Sequence, residues 1–161
     1  MTAATIEREF GLASPEQVAA LSGREFLEAM IAGEIPAPPS ARTLSFEIVE
    51  VGDGYVRYEG RPRADLLNPL GVVHGGWALT LIDTVTACAV HSRLPAGVGY
   101  TTIETKANFS RAIRPDTGPV RAEAKVVTLG RQIGTAEGWL KDEQGRVLVH
   151  GTSTIMIFAP R

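Results

Sequence analysis

Between His74 and His91 the only residue charged at neutral pH is Asp83. Around it the stretch GGWALTLIDTVTACAV is apolar or small on nearly every side. Residues 75 to about 92 are therefore predicted to form one helix that must be buried on most of its faces. The most apolar part, residues 77–90, is shorter than the ~20 residues a bilayer span needs, and Asp83 interrupts it. A membrane is thus not what covers this helix, and the cover has to come from the rest of the chain.

Strands are available on both sides of it. From Thr43 the hydrophobic period becomes two: TLSFEIVEV alternates, GDG at 52–54 is a turn signal, and YVRYEGR alternates again. RADLLNPLGVVHGG then reads as a loop, with turn chemistry at Asn68-Pro69 and Gly71. After the helix, LPAGVG (94–99) is an exit turn. Segments at about 100–109, 118–129, 132–141 and 146–157 follow, separated by RPDTG, LGRQ and DEQG. Short connections favour antiparallel pairing. The expected fold is α+β, a curved antiparallel sheet wrapped around one long central helix. Such a sheet has unpaired edges, and pairing one with a second subunit is a common remedy.

Ahead of this domain, assigned to residues 41–161, residues 1–40 read as an N-terminal helical arm with a Pro-rich connector. Ser14 is the candidate N-cap, Pro15 takes the first helical position, and an amphipathic helix extends over 14–33, divided at Gly23. GEIPAPPS (33–40) ends it. The arm is expected to dock on the main domain. It holds six glutamates and two arginines, and the whole chain has a net charge of −2. Neither attracts nucleic acid. One cysteine, Cys88, excludes an intrachain disulfide framework and a Cys-rich zinc site, and suits a reducing cytosol. MTAATIEREFGLASPEQ lacks the basic and apolar regions of a secretory leader. A cytoplasmic protein without a metal is expected.

A buried, unpaired carboxylate in mid-helix costs several kcal/mol. Asp83 is therefore a cap on a neighbouring element, an ion-pair partner, for instance of Arg111, or a working carboxylate. The helix entrance supplies a counterpart. The first amides of a helix lack internal acceptors and carry partial positive charge. Gly75 and Gly76 have no Cβ to keep a ligand oxygen away. Such an amide suits the oxyanion formed when a carbonyl is attacked. Gly75 and Asp83 are eight residues apart, however, which is about 12 Å along a helix. One carbonyl cannot readily be served by both from one chain. Two antiparallel helices in a dimer would bring Gly75 of one to Asp83 of the other.

NPLGVVHGG with Asp nine positions after the His resembles the hot-dog-fold thioesterases of the phenylacetate-pathway (PaaI-like) type. The resemblance covers about residues 40–158 and includes GYTTIETKANFSRAIRPDTG and VVTLGRQIGTAEGWLKDEQGRVLVHGTST. It implies homodimers with continuous sheets, often paired into homotetramers. It implies an acyl- or aroyl-CoA substrate, and no metal or redox cofactor. It further implies that Gly75 offers its N–H to the thioester carbonyl and that Asp83 of the other subunit is the nucleophile or the base. Asn68 would position water or the thioester, or else serve only as a turn former before Pro69. Thr102, or its neighbour Thr101, would orient the attacking water. His74 would order the loop rather than take a proton.

Coenzyme A carries phosphates, for which Gly76, Arg111, Arg114, Gly130, Arg131 and Gln132 are the candidate contacts, through arginines and turn amides. Solvated edge arginines are the competing reading. Trp77, Leu79, Leu81 and Phe109 are candidates to line the acyl slot. His91, at the helix end, is read as a cation suited to the dipole, His150 as structural, and Cys88 as core filler. Two other functions share the fold: a non-catalytic acyl-CoA sensor, against which the acidic arm argues, and an acyl-thioester hydratase or dehydratase, which would need a histidine beside Asp83.

Overall fold

The computed structural model describes residues 8–158. Glu7 of the arm's charge count and the first seven residues of the leader reading lie outside them. The helix that most constrained the sequence is α4, Gly75–His91, and it forms the axis of the molecule. Trp77, Ala78, Leu81, Ile82, Val85, Ala89 and Val90 are all buried, so burial runs around the helix rather than along one stripe.

Six strands cover it: β1 (Phe46–Gly52), β2 (Tyr55–Gly60), β3 (Gly99–Phe109), β4 (Val120–Leu129), β5 (Ile133–Lys141) and β6 (Val147–Phe158). All pairs are antiparallel and the order is β1-β2-β4-β5-β6-β3. Helix α4 packs against β2, β3, β4, β5 and β6, so the sheet curls around it as expected. The eleven-residue β3 pairs only with β6 and leaves its other edge free among the described residues. A bulge between Thr102 and Glu104 interrupts its register with β6. Among the described residues no helix is long and apolar enough to cross a membrane.

The arm helix is divided, as expected, close to Gly23. Helix α1 spans Pro15–Ala20 and α2 spans Gly23–Ala32. They part at Leu21, before Gly23, because Ser22 caps α2 in a reciprocal capping box with Glu25. A third helix, α3 (Pro39–Leu44), occupies residues read as connector and strand start. Pro39 opens it and Ser45, with φ 55°, ends it, so β1 starts at Phe46 rather than Thr43. The arm is bound into the core rather than laid on it. Leu27 is 1% exposed and packs with the main cluster, and the Gly23 N–H donates to the Leu94 carbonyl at 2.9 Å. A Cβ at residue 23 would overlap the His91 carbonyl oxygen, so only glycine lets α2 seat against the end of α4.

Candidate active site

The helix entrance is built by the loop before it. Asn68 Oδ1 accepts from the Leu70 N–H at 2.9 Å and the Val72 N–H at 3.4 Å, which closes the turn around Pro69. His74 is the N-cap of α4. Its Nδ1 accepts from the Gly76 N–H at 2.9 Å, and its carbonyl accepts from the Trp77 N–H at 3.0 Å. An accepting Nδ1 assigns the proton of the neutral ring to Nε2. The Gly76 amide is therefore spent. The Gly75 N–H has no acceptor among the described residues, and it sits at the positive end of the helix. The Phe109 ring lies 3.3 Å from where a Cβ of residue 75 would be, so a side chain there would crowd the amide. Asn68, Gly75, Phe109 and Arg111 line one cavity of about 290 Å³.

Asp83 opens elsewhere. It lines a separate, shallow cavity of about 410 Å³ with Leu79, Thr80, Thr102 and Thr105. It is half-buried and has no arginine partner among the described residues. Arg111 donates instead to the Val147 carbonyl at 2.8 Å, so the ion pair weighed from sequence does not form. What holds Asp83 is a file of hydroxyls. Thr105 Oγ1 donates to Asp83 Oδ1 at 3.1 Å. Ser153 Oγ is 3.0 Å from Thr105 Oγ1, and Thr86 Oγ1 donates to Ser153 Oγ at 2.7 Å. With the Thr105 hydrogen committed to Asp83, Ser153 donates to Thr105, and the Thr86 hydrogen is shared between Ser153 Oγ and the Ile82 carbonyl, 2.8 Å away. Thr86 and Ser153 are buried, which fixes the file.

Thr105 was not foreseen. Strict alternation puts 102, 104 and 106 on one face of β3. The bulge removes Ile103 from the count, so Tyr100, Thr102, Thr105 and Ala107 turn inward while Glu104 and Lys106 face out. Thr101 is exposed, and Thr102 is the one that faces the Asp83 cavity.

The candidate phosphate contacts divide between the two ends of the sheet. Arg111 and Arg114 follow β3 at the end where Phe109 pairs with Val149. Gly130, Arg131 and Gln132 sit at the opposite end, where Ile133 pairs with Met156 and Gly99 with Phe158. The Gly130 N–H donates to the Ile133 carbonyl at 2.8 Å, which corrects the reading of that amide as available. Arg111, Arg114, Arg131 and Gln132 are exposed.

Other sequence readings are also revised. Trp77 and Leu81 belong to the core, and Trp77 Nε1 donates to the Leu44 carbonyl at 2.7 Å; of the four candidate slot residues only Leu79 and Phe109 reach the two cavities. His91 is no cation. It is packed against Phe26 and Tyr100, with ring centroids at 5.6 and 4.6 Å, and burial pushes its pKa down to about 4. The arm supplies that burial, which a reading of α4 by itself could not include. Cys88 faces Tyr58, whose hydroxyl is 3.3 Å from its sulfur, and burial pushes the thiol up to about 11. His150 stacks beside Trp139 on the outer face of the sheet.

Comparison with known proteins agrees with this architecture. Residues 70–149, from just before His74 through β5 into β6, match the model of the thioesterase superfamily. A candidate thioesterase of known structure, the phenylacetic acid degradation-related protein of Ralstonia eutropha JMP134, is 30% identical. It superposes with a TM-score of 0.74 over 81% of this chain and 98% of that one. A hypothetical thioesterase from Streptococcus pneumoniae TIGR4, solved with coenzyme A, is 24% identical with a TM-score of 0.65, over 72% and 88% of the two chains. A candidate esterase of Halobacterium salinarum is 45% identical over 67 residues, 42% of this chain and 44% of its own length. This chain thus matches less than half the length of that relative.

Proposed function

The chain belongs to the thioesterase superfamily, and on that premise we propose that it hydrolyses an acyl- or aroyl-CoA to the free acid and CoA at sites shared between two copies. The observation that carries this is the division of labour along α4. The free amide of Gly75 and the side chain of Asn68 face one cavity, and Asp83 with Thr102 and Thr105 faces another. A nucleophile has to sit ~3 Å from the carbonyl carbon. Two helices side by side and antiparallel bring the entrance of one to the middle of the other.

The chemistry follows from the groups. The thioester carbonyl oxygen accepts from the Gly75 N–H, which stabilises the negative charge that develops on attack. Asp83 of the partner subunit either attacks the carbonyl carbon or takes a proton from an attacking water. In the first case a mixed anhydride forms, the C–S bond breaks, and water then cleaves the anhydride. In the second, the tetrahedral adduct expels the thiolate directly. Thr105 holds the carboxylate in either case, and Thr102 lies where it can hold water. The free edge of β3, with Ile103 and Phe109 half exposed on it, supports pairing with a second β3. Antiparallel pairing also brings Arg131 of one copy toward Arg111 of the other, which gathers the divided phosphate contacts. The coenzyme A in the pneumococcal relative supports this substrate.

Mixing tests the shared site. Asp83→Asn chains and Gly75→Val chains should each be nearly inactive. After subunit exchange, half of the dimers are mixed and each has one intact site of two, so activity should return to about a quarter of the wild-type value. No recovery despite exchange demonstrated by mass spectrometry would rule out a site built from two subunits.

A further inference from the structure

Of the cavities among the described residues that the mechanism leaves unused, one is closed and mostly apolar. It holds about 260 Å³ and lies on the flank of α4 that faces the arm. Its floor is Thr84, Ala87 and Cys88, its walls include Tyr58 and Tyr100, and Phe26 and Met30 of α2 roof it. We propose that this chamber receives the acyl group of the thioester cleaved at Asp83. It admits a compact apolar acyl group, a single ring or a medium-length chain, and Met30 and Phe26 set the limit. The inference rests on the thioesterase reading and adds the substrate class to it.

Position is the first support. The floor starts at Thr84, the residue after Asp83, and Ala87 is one helical turn beyond the acid. Tyr100 and Thr102 point inward from the same face of β3, one into the chamber and one into the acid's cavity. The two spaces therefore share a wall of small and aromatic side chains. Burial first, and the nearby Asp83 charge as a further contribution, hold the Cys88 thiol and the Tyr100 phenol above their ordinary ranges. The acid is thus within electrostatic reach of both.

Size is the second. A cavity of about 150 Å³ accommodates benzene. The chamber holds a substituted ring or a chain of several carbons, and it has no room for a long fatty chain while the arm is seated. Its chemistry is the third. The Tyr58 hydroxyl and Cys88 sulfur are paired with each other, and the thiol and the His91 ring are both neutral at pH 7. Formal charge enters only with Arg8 and Glu47, which face each other at 3.5 Å. Arg8 Nη1 is buried with no partner among the described residues. A weakly polar tip on the acyl group can use that donor, whereas a full carboxylate also meets Glu47.

The test is steady-state hydrolysis of acetyl-, hexanoyl-, benzoyl- and palmitoyl-CoA by the full chain, followed by thiol trapping. Hexanoyl- or benzoyl-CoA should exceed palmitoyl-CoA in kcat/KM by tenfold or more. Met30→Trp fills the chamber and should lower the hexanoyl-to-acetyl and benzoyl-to-acetyl ratios at least tenfold, within the range that one misfitting group produces in an apolar pocket. Met30→Ala and Phe26→Ala only remove volume, and should raise the palmitoyl-to-hexanoyl ratio at least fivefold. If the wild-type protein cleaves CoA thioesters but these ratios stay within twofold in all folded variants, the chamber is not the acyl site and the thioesterase reading stands. If no CoA thioester is cleaved at all, that reading fails and the chamber proposal falls with it.

Discussion

The two flanks of α4 are opposites. Toward the arm, Ala87, Cys88 and His91 meet Phe26, Met30 and Tyr58, and the chain closes that side itself. Toward β3, Thr80 and Asp83 meet Thr102 and Thr105 in an open cavity beside an unpaired strand edge. One flank is closed by the chain's own arm, and the other ends on a strand edge that has no partner among the described residues. The packing of the arm and the acid are thus on different sides of one helix. Substitutions on the two sides should fail in different ways.

The sharpest contrast is between Asp83→Asn and Leu27→Ala. Losing the Asp83 carboxylate should lower kcat by about two to four orders of magnitude, the usual range for loss of a general base. The melting temperature should hardly change, because the acid is half-buried and has no ion-pair partner among the described residues. Leu27→Ala should do the reverse. It empties a fully buried site between arm and core, at a cost of about 2–5 kcal/mol in stability. Because Leu27 also borders the chamber, turnover per folded molecule should stay within about tenfold of wild type, far from the loss at Asp83. Calorimetry and active-site-normalised rates read both. A large melting shift for Asp83→Asn would collapse the distinction between flanks.

Acid should act on the arm flank first. The folded His91 pKa is about 4, below the ordinary value of 6.5, so the unfolded chain takes up the proton before the folded one does. Stability from this group is complete above pH 6.5 and is lost as pH falls toward 4, by up to about 3 kcal/mol. Tyr58, Tyr100 and Cys88, which surround the chamber with it, stay neutral over that interval, while Glu47 and Arg8 lie at its arm side. The melting temperature of His91→Leu relative to wild type should therefore rise between pH 7 and pH 4. A constant difference would place the ring outside the buried flank.

Thr105→Val should give the smallest change. It removes one hydrogen bond to a carboxylate, worth about 1.5–3 kcal/mol at most, and preserves shape. A fall in kcat of about tenfold with little change in KM is expected, and rescue by Thr105→Ser would separate positioning from packing.

The sheet-and-helix frame was legible in the chain because its periods are clean. The bounds of α4 and of the last four strands fall within about two residues of those expected from alternation and turn residues. Asp83 and Gly75 stood out for local reasons: a lone charge in an apolar run, and a glycine pair at a helix start. The misses have a shared cause. Thr105 depends on a bulge that displaces Ile103, and neutral His91 depends on Phe26 arriving from far along the chain. Helix α3 was hidden because PAPPS reads as punctuation, although Pro is well suited to open a helix. Periodicity reports which face of an element is apolar, but not what a distant segment will do to that face.

The strand order has a consequence for synthesis. Among the described residues strand β3 pairs only with β6, the last of the six strands in chain order. About 40 residues separate the end of one from the start of the other, which at ~5–20 residues per second leaves β3 without its partner for a few seconds. Ser153, the link between Thr86 and Thr105, is on β6 as well. A nascent chain therefore cannot brace Asp83 until its closing strand arrives, and during that interval both edges of β3 are open to other polypeptides.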